Sequence, residues 1–336
     1  MATNYLYGTI LTGEAVAANN RGDNLGNTTT LQKVFHQDDV HTSVSAEAIR
    51  FALRYRFQLE EMKTNRTYNP ATAKVKYIDD KWTDWAPDGD VFIDDDLMGF
   101  MNAAAAAKEQ EDEATEATEG DEEKPAKGKS KKGKGAAYKR PSPLAVGRAV
   151  SLRPYRGELS YNSTVRKDEG GKAAGLSLYN AEMHTTEYQY FFGLNLNDVI
   201  KKENISHLVD AIVDPPPVAG NHARFAYDFS PASIVLRVTR EHSPRIQNCF
   251  EHDEETRSYT IEKLIERVKN GDIPARELYI GGEVASTEEG ARLKELDVTH
   301  VYPGVRKAAY EACVAIAGLQ DDFKVVTPGK ATNNGG

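Results

Sequence analysis

Cysteine is almost missing from this chain: Cys249 and Cys313 are the only two, far apart and outside any CxxC or Cys/His cluster. That excludes a disulfide framework, offers no structural zinc site, and leaves two thiols expected in the core. No apolar run is long enough to cross a bilayer, and the opening MATNYLYGTIL has no basic segment leading into an apolar signal core. The expected setting is therefore cytoplasmic, with no membrane partner. Catalytic signatures are lacking as well. No GK[ST] follows the glycine-bearing segment GEAVAANNRGDNLGN and no GxGxxG occurs, so nucleotide hydrolysis has no support. No GxSxG elbow or HExxH accompanies the histidines, so hydrolytic catalysis has none either. No cofactor and no bound metal is expected.

What is present is enough apolar sequence, 40% of 336 residues, to bury a large core in one elaborated domain or two. Charge is unevenly spread. The formal net charge of -9 argues, taken whole, against a nonspecific nucleic-acid binder, yet charge acts by patch and not by sum. Between 139 and 167 stand Lys139, Arg140, Arg148, Arg153, Arg156, Arg166 and Lys167 against a single acid, Glu158, while acids concentrate in 79–96, 109–123 and 251–255. Residues 103–140 run from alanines through an acidic block to a Lys/Gly block with almost no large apolar side chains, which predicts a flexible, solvated surface loop.

Around that loop strand and helix patterns mix. LYGTILTG predicts a first strand and 45–61 the first helix, with Ser45 as its N-cap, Glu47 in its first turn and Ile49, Ala52, Leu53 and Phe57 as its buried stripe. LAVGRAVSLRPY and EMHTTEYQYFFGLNL alternate as strands do, with Tyr188, Tyr190 and Phe192 on one side. Residues 197–213 predict a helix, DPPPVAGN a break, and RFAYDFSPASIVLRVTR a strand pair or one bent strand interrupted at Pro231. TIEKLIERVKNG, TEEGARLKEL and GVRKAAYEACVAIAG predict three more helices. The expected class is α+β, a sheet covered by helices mainly on one face with an open face left for a partner.

Candidate sites follow from residue type and spacing. Arg50 and Arg54 share one helix face beside the buried stripe, where two guanidiniums a turn apart either solvate the helix, with Glu47 pairing Arg50, or grip successive phosphate oxygens. The Asn- and Gly-rich segment around Arg21 either turns the chain or presents amides to phosphates and 2′-hydroxyls. DWAPDGDVFIDDD, 84–96, resembles a calcium loop at Asp84, Asp88 and Gly89, but Ala86 and Asp95 stand where ligands are required, so the match fails. In AGNHARF, Asn221, His222 and Arg224 sit on a glycine-bearing break before an aromatic strand, a loop type that can insert beside a nucleic-acid strand or simply cap a turn.

YGTILTGEAVAANNRGDN, VSAEAIRFALRYRF, IDDDLMGFM, AVSLRPY, EYQYFFGLNL and GNHARFAYDFSPASIVLRVT occur in an order that resembles the DevR branch of the Cas seven family, the repeated backbone subunit of type I-B CRISPR Cascade complexes. The resemblance implies a single elaborated RRM-like (ferredoxin-like) palm over 1–336, a finger-like insertion at 62–145 containing the charged loop 103–140, and a projecting thumb-like loop at 205–225. It implies a noncatalytic ribonucleoprotein subunit of antiviral defence that lies head to tail with copies of itself along the spacer part of the crRNA. Its other partners would be the remaining Cascade subunits and target DNA, reached through the crRNA. By resemblance Arg50 and Arg54 hold the RNA backbone, Asn19, Asn20, Arg21, Thr42, Ser43 and Ser45 lie beside it, and Arg148, Arg153 and Arg156 extend the surface. Asn221, His222 and Arg224 would meet a nucleotide or the next subunit, and Asp95 and Asp96 are expected at the subunit contact. A guide holder must accept any spacer, so contacts to phosphate and 2′-hydroxyl suit it better than a base code. Two rivals remain: a metal-dependent nuclease using the acids of 84–96, and a standalone RRM-like protein that binds cellular RNA as a monomer.

Overall fold

The computed structural model describes residues 4–19, 21–36, 38–82, 90–101, 139–167, 171, 173–220, 226–256 and 258–319. Strand β1 (Tyr5–Thr12) shows how the molecule is layered. Strand alternation sends Leu6 and Ile10 to one side and Tyr7 and Leu11 to the other, and all four are buried, so both faces here are covered. Gly8 is required by that packing, because a Cβ there would come within 2.1 Å of the Phe192 ring and 2.9 Å of Leu236.

The chain continues through β2 (Ala15–Ala17), β3 (Arg21–Leu25), β4 (Thr28–Leu31), β5 (Lys33–His36) and β6 (Asp39–Val44) into helix α1 (Ala46–Leu59). A hairpin of β7 (Arg66–Asn69) and β8 (Lys74–Tyr77), the short helix α2 (Ile93–Met98) and β9 (Phe100–Met101) follow. Beyond residue 138 come β10 (Lys139–Arg140), β11 (Leu144–Val146), β12 (Ala149–Ser151), the long strands β13 (Glu158–Lys167) and β14 (Ala173–Thr186), and β15 (Tyr188–Asn195). The remainder holds α3 (Glu203–Val213), β16 (Pro231–Thr239), the β17 (Glu251–Asp253) and β18 (Ser258–Thr260) hairpin, α4 (Glu262–Lys269), β19 (Leu278–Gly282), α5 (Glu288–Glu295), β20 (His300–Tyr302) and α6 (Val305–Ala317).

The main sheet runs β20-β19-β16-β1-β15-β12-β6-β5, with β11 also on β15; its pairs are antiparallel except β19 with β20. On one face pack Leu53 and Phe57 of α1, Leu97 of α2, Leu208 and Ile212 of α3 and Ala312 and Ile316 of α6, over Tyr190, Phe192, Ile234 and Leu236 of the strands. Leu264 and Val268 of α4 and Leu293 of α5 cover Val235, Leu278 and Ile280 on the other. Helices thus stand on both faces. The second layer reaches only over β1, β16 and β19, which leaves the β15-β12-β6 part of that face without a helix among the described residues.

The strongly patterned elements lie where the periodicity puts them. Ser45 caps α1, its Oγ accepting from the Ala48 N–H at 3.2 Å, and the stripe Ile49, Ala52, Leu53 and Phe57 is buried. Pro231 opens β16 instead of interrupting it, and the ladder to β1 shifts register there. Residues 205–213, read by resemblance as the start of a thumb-like loop, belong to α3, whose Ile205, Leu208, Val209 and Ile212 are core residues. The exposed extension is instead the β13–β14 ribbon, with Tyr161, Val165, Leu176 and Leu178 in solvent.

Helix α2 is where the sequence expectation needs correction. Asp95 and Asp96 are fully buried, so neither carboxylate faces a neighbouring subunit. The reason is local. Leu97 fills the core, and Asp96 is enclosed by donors: Arg140 Nη2 at 2.9 Å, the backbone N–H groups of Ile200 and Lys201 at 2.9 and 3.1 Å, and Asn204 Nδ2 at 2.8 Å. One carboxylate thereby ties α2 to β10 and to the turn leading into α3. Asp96→Ala, which removes the buried acceptor shared by Arg140, Asn204 and two backbone N–H groups, is expected to cost about 3–5 kcal/mol of folding stability, read as a lowered urea midpoint; unchanged stability would show the cluster to be dispensable.

Candidate nucleic-acid interface

The uncovered part of the second sheet face is the floor of a cleft of about 480 Å³. Alternation along β15 turns Gln189 and Phe191 into it while Tyr188, Tyr190 and Phe192 enter the core. Arg148 stands on the β12 side, and α4 closes the far side with Lys263 and Arg267, one helical turn apart. The wall at 246–250 is pinned by Gln189, whose Nε2 donates to the Phe250 carbonyl at 3.1 Å and whose Oε1 accepts from the Phe250 N–H at 3.0 Å. His36, His252, Gln247 and Asn248 complete a lining rich in donors. Lys263 is paired with Glu251 and Arg267 donates to the Arg245 carbonyl, whereas Arg148 is exposed and reaches Gln32 and Ser43 at 3.3 Å each.

The residues singled out from the sequence divide. Ser43 and Arg148 meet at this cleft, and Arg156, its side chain 69% exposed and 4.0 Å from Asp39, stands beyond the end of β12. Arg21 is exposed on β3. Thr42 is interior: its Oγ1 bridges His184 Nδ1 at 2.8 Å and the Tyr188 hydroxyl at 2.9 Å, in surroundings where burial pushes His184 down to about 4. Ser45 is occupied as the helix cap, and Asn19 is buried with its Nδ2 directed at the Val218 carbonyl. Arg153 grips Glu14 through both Nη atoms, at 3.1 and 2.6 Å, and Glu187 at 3.0 Å. Asn20, Asn221, His222 and Arg224 lie outside the described residues, as does nearly all of the loop 103–140.

Arg50 and Arg54 do share a face, but both guanidiniums are half-buried there and engaged by protein groups. Arg50 donates to the carbonyls of Leu144 and Met98, 2.9 Å each, fastening α1 to β11 and to the end of α2. Arg54 Nε lies 3.4 Å from the buried Asp94 carboxylate, and burial pushes its guanidinium down to about 10. Asp94 also accepts from the backbone N–H groups of Asn65 and Arg66, and Asp95 from Asn65 Nδ2 at 2.7 Å and Trp82 Nε1 at 2.8 Å. With such donors in place the acids do not converge on a common ion, and among the described residues no group of three or more His, Cys, Asp or Glu side chains is arranged to hold one. Both cysteines are buried and their thiols pushed up to about 12, as inert core groups are.

Phe191, Gln247, Asn248, Lys263 and Arg267 were not legible as site residues. The available signals were indirect: in EYQYFF the positions between the core aromatics had to face somewhere, and in TIEKLIERVKNG Lys263 and Arg267 fall four apart on the polar side.

The α+β fold has counterparts among solved structures. A chain of a structure titled "CRISPR RNA-guided surveillance complex" matches with a TM-score of 0.52 at 12% identity, over 93% of this chain and 99% of that one. A second, from "CRISPR RNA-guided surveillance complex, pre-nicking", gives 0.50 at 12% identity, over 93% and 100%. At such identity the likeness is one of fold. Sequence supplies the family: the chain belongs to the Cas7/DevR family of CRISPR-associated proteins, its residues 10–293 matching the family described as "CRISPR-associated negative auto-regulator DevR/Csa2". It is also 35% identical over 314 residues to "CRISPR-associated protein Cas7/Cst2/DevR" of Myxococcus xanthus (strain DK1622), covering 92% of this chain and 96% of that protein.

Two outcomes follow from the buried charges. Replacing Arg50 and Arg54 together by alanine is expected to lower folding stability by about 3 kcal/mol or more, seen as a depressed melting temperature of the chain without RNA; an unaltered melt would free both for ligand binding. Asp95 behaves oppositely to a salt-bridged acid: burial, then Asp94, pushes its carboxyl from 3.8 up to about 6. The fold favours its neutral form, so that stabilisation is complete below about pH 3.8 and is lost as pH rises through about 6. Asp95→Asn, neutral throughout, should therefore shrink the stability lost between pH 4 and 7 by about 3 kcal/mol in paired urea titrations; parallel wild-type and variant curves would contradict this.

Proposed function

We propose that this chain is a noncatalytic, multi-copy backbone subunit of a type I CRISPR effector complex, a Cascade of type I-B, that lies along the crRNA spacer and leaves its bases free to pair with target DNA. The observation that carries the reading is the family match over residues 10–293 joined to a fold shared along 93% of the chain with a chain of an RNA-guided surveillance complex. The physical arrangement supports it. The antiparallel order β16-β1-β15-β12 with α1 and α3 on one face is what an RRM-like palm requires, and β7, β8 and α2 belong to the segment read as the finger-like insertion. Arg148 and Arg267 give the cleft a cationic rim for phosphates, and Arg21 and Arg156 extend exposed positive charge beyond it. Asn20, Asn221, His222 and Arg224 stay in the proposed interface by resemblance alone.

Exposed Tyr161, Val165, Leu176 and Leu178 on the β13–β14 ribbon, with Phe35 at 84% exposure, form more apolar surface than a solitary chain has use for, which favours head-to-tail copies and other Cascade subunits as partners over a standalone monomer. The nuclease reading has less behind it, since Asp94, Asp95 and Asp96 are held by protein donors.

The test is to express the chain with a CRISPR array and its neighbouring genes, purify by size and sequence the RNA that comes with it. Spacer-length RNA in a large complex is expected; an RNA-free monomer with every partner present would defeat the proposal. In that complex Arg148→Glu with Arg267→Glu should weaken RNA retention and flatten its salt dependence, by about 0.7 in the log–log slope for each phosphate contact removed.

A further inference from the structure

Phe191 carries more than a floor position requires. Tyr5, Tyr7 and Phe191 form a row of rings across β1 and β15, Tyr5 on Tyr7 at 5.5 Å between centroids and 8° between planes, Tyr7 on Phe191 at 6.0 Å and 25°. Tyr7 occupies one side of the Phe191 ring, and Phe191, half-buried, borders the cleft. On the strand segment beside it stands Gly147, whose N–H donates to the Phe191 carbonyl at 2.7 Å. A Cβ at Gly147 would lie 3.3 Å from the Phe191 carbonyl oxygen and 3.9 Å from the Phe191 Cβ, so a side chain there would crowd that backbone and grow into the space next to the ring. Gly147 is not among the residues with a left-handed backbone, so conformation does not demand glycine. What its missing side chain provides is room.

We propose that the cleft beside Phe191 and Gly147 is a nucleobase subsite, which takes one unpaired base of the bound RNA stacked on the Phe191 ring while Arg148 and Arg267 hold the adjoining phosphates. This rests on the RNA-backbone reading and deepens it from phosphate contact to base capture. Phosphate binding alone needs no aromatic ring, and a half-exposed ring bordering a cleft with cations gains most from a planar partner that carries negative charge on its linker. The 480 Å³ of the cleft falls within the range of sites that enclose a small ligand. Gln247 and Asn248, exposed on the wall that Gln189 pins, supply amides for the edge of a base without selecting strongly among bases. A stacking subsite of this kind accepts any sequence, as a guide holder must.

Ultraviolet cross-linking of the RNA-loaded wild-type complex, followed by peptide mass spectrometry, tests the contact without any variant. A nucleotide adduct on the peptide containing Phe191 is expected. Chemical probing of the bound RNA then compares wild type with Phe191→Leu, which keeps bulk and loses the ring face, and Gly147→Val, which fills the space. In the RNA that each variant complex retains, one base per subunit should become about tenfold more reactive than in wild type. RNA bound as before, with no adduct at Phe191 and an unchanged reactivity pattern in both variants, would overturn the subsite and leave the RNA-backbone reading standing. A wild-type complex without RNA would bring both down, and an adduct between Phe191 and another protein would reassign the cleft.

Discussion

Three consecutive carboxylates buried on a helix of six residues can persist only if donors reach them from several sides, and much of the architecture around α2 is that set of donors. Arg54 comes from α1, Asn65 and the Arg66 N–H from the edge of the β7–β8 hairpin, Trp82 from the chain beyond it, Arg140 from β10, and Asn204 from α3. Asn65 is itself fully buried and holds Ile78 and Asp79 through its Oδ1, so the hairpin is locked to α2 by one amide. The insertion is thus fastened by polar geometry that fits one arrangement, where an apolar patch would tolerate several. Loss of any single donor leaves a carboxylate buried and underpaired, which is why these contacts bear on stability well beyond their own strength.

The same constraint sorts the arginines. A guanidinium beside a buried acid or an unpaired carbonyl is held by the protein, and Arg50, Arg54, Arg140 and Arg153 are all of this kind. Arg148 and Arg156 meet no buried acid and extend towards solvent. A chain with a formal net charge of -9 can still present a cationic cleft, because each internal ion pair is neutral in itself and the placement of the remaining charges decides the local potential.

How much of this could be read from the sequence depends on whether a signal was periodic or positional. Helix α1 was legible to its cap because Ser45 and the stripe Ile49, Ala52, Leu53 and Phe57 obey the helical repeat, and α4, α5 and α6 were legible for the same reason. Arg50 and Arg54 were placed on the right face and given the wrong neighbour, since periodicity tells which side chains share a face and not what that face meets. In IDDDLM the acids were expected at a subunit contact and not in the interior, because no local rule predicts donors from residues 54, 65, 82, 140 and 204. In the β13–β14 ribbon Leu159, Tyr161, Val165, Leu176 and Leu178 do alternate with polar residues, but that pattern predicts a buried face, and here the apolar side chains are exposed.

The cleft was the least legible feature, for a topological reason. Its floor is β15, one side comes from Gly147 and Arg148, and its far wall comes from residues 247–267, separated from the floor by α3 and β16. The wall is drawn in by long-range hydrogen bonds, Gln189 with the Phe250 backbone and Thr9 Oγ1 donating to the Ile246 carbonyl at 2.7 Å, and by α4 settling on Leu11 and Val235 through Leu264 and Ile265. Without that second layer the uncovered strands would be a flat, half-polar surface, able to attract phosphates but not to enclose a base. With it, Phe191 acquires a wall opposite and a space beside it. The helices expected to sit mainly on one face are therefore not incidental on the other, since covering half of that face is what turns the remaining half into a site.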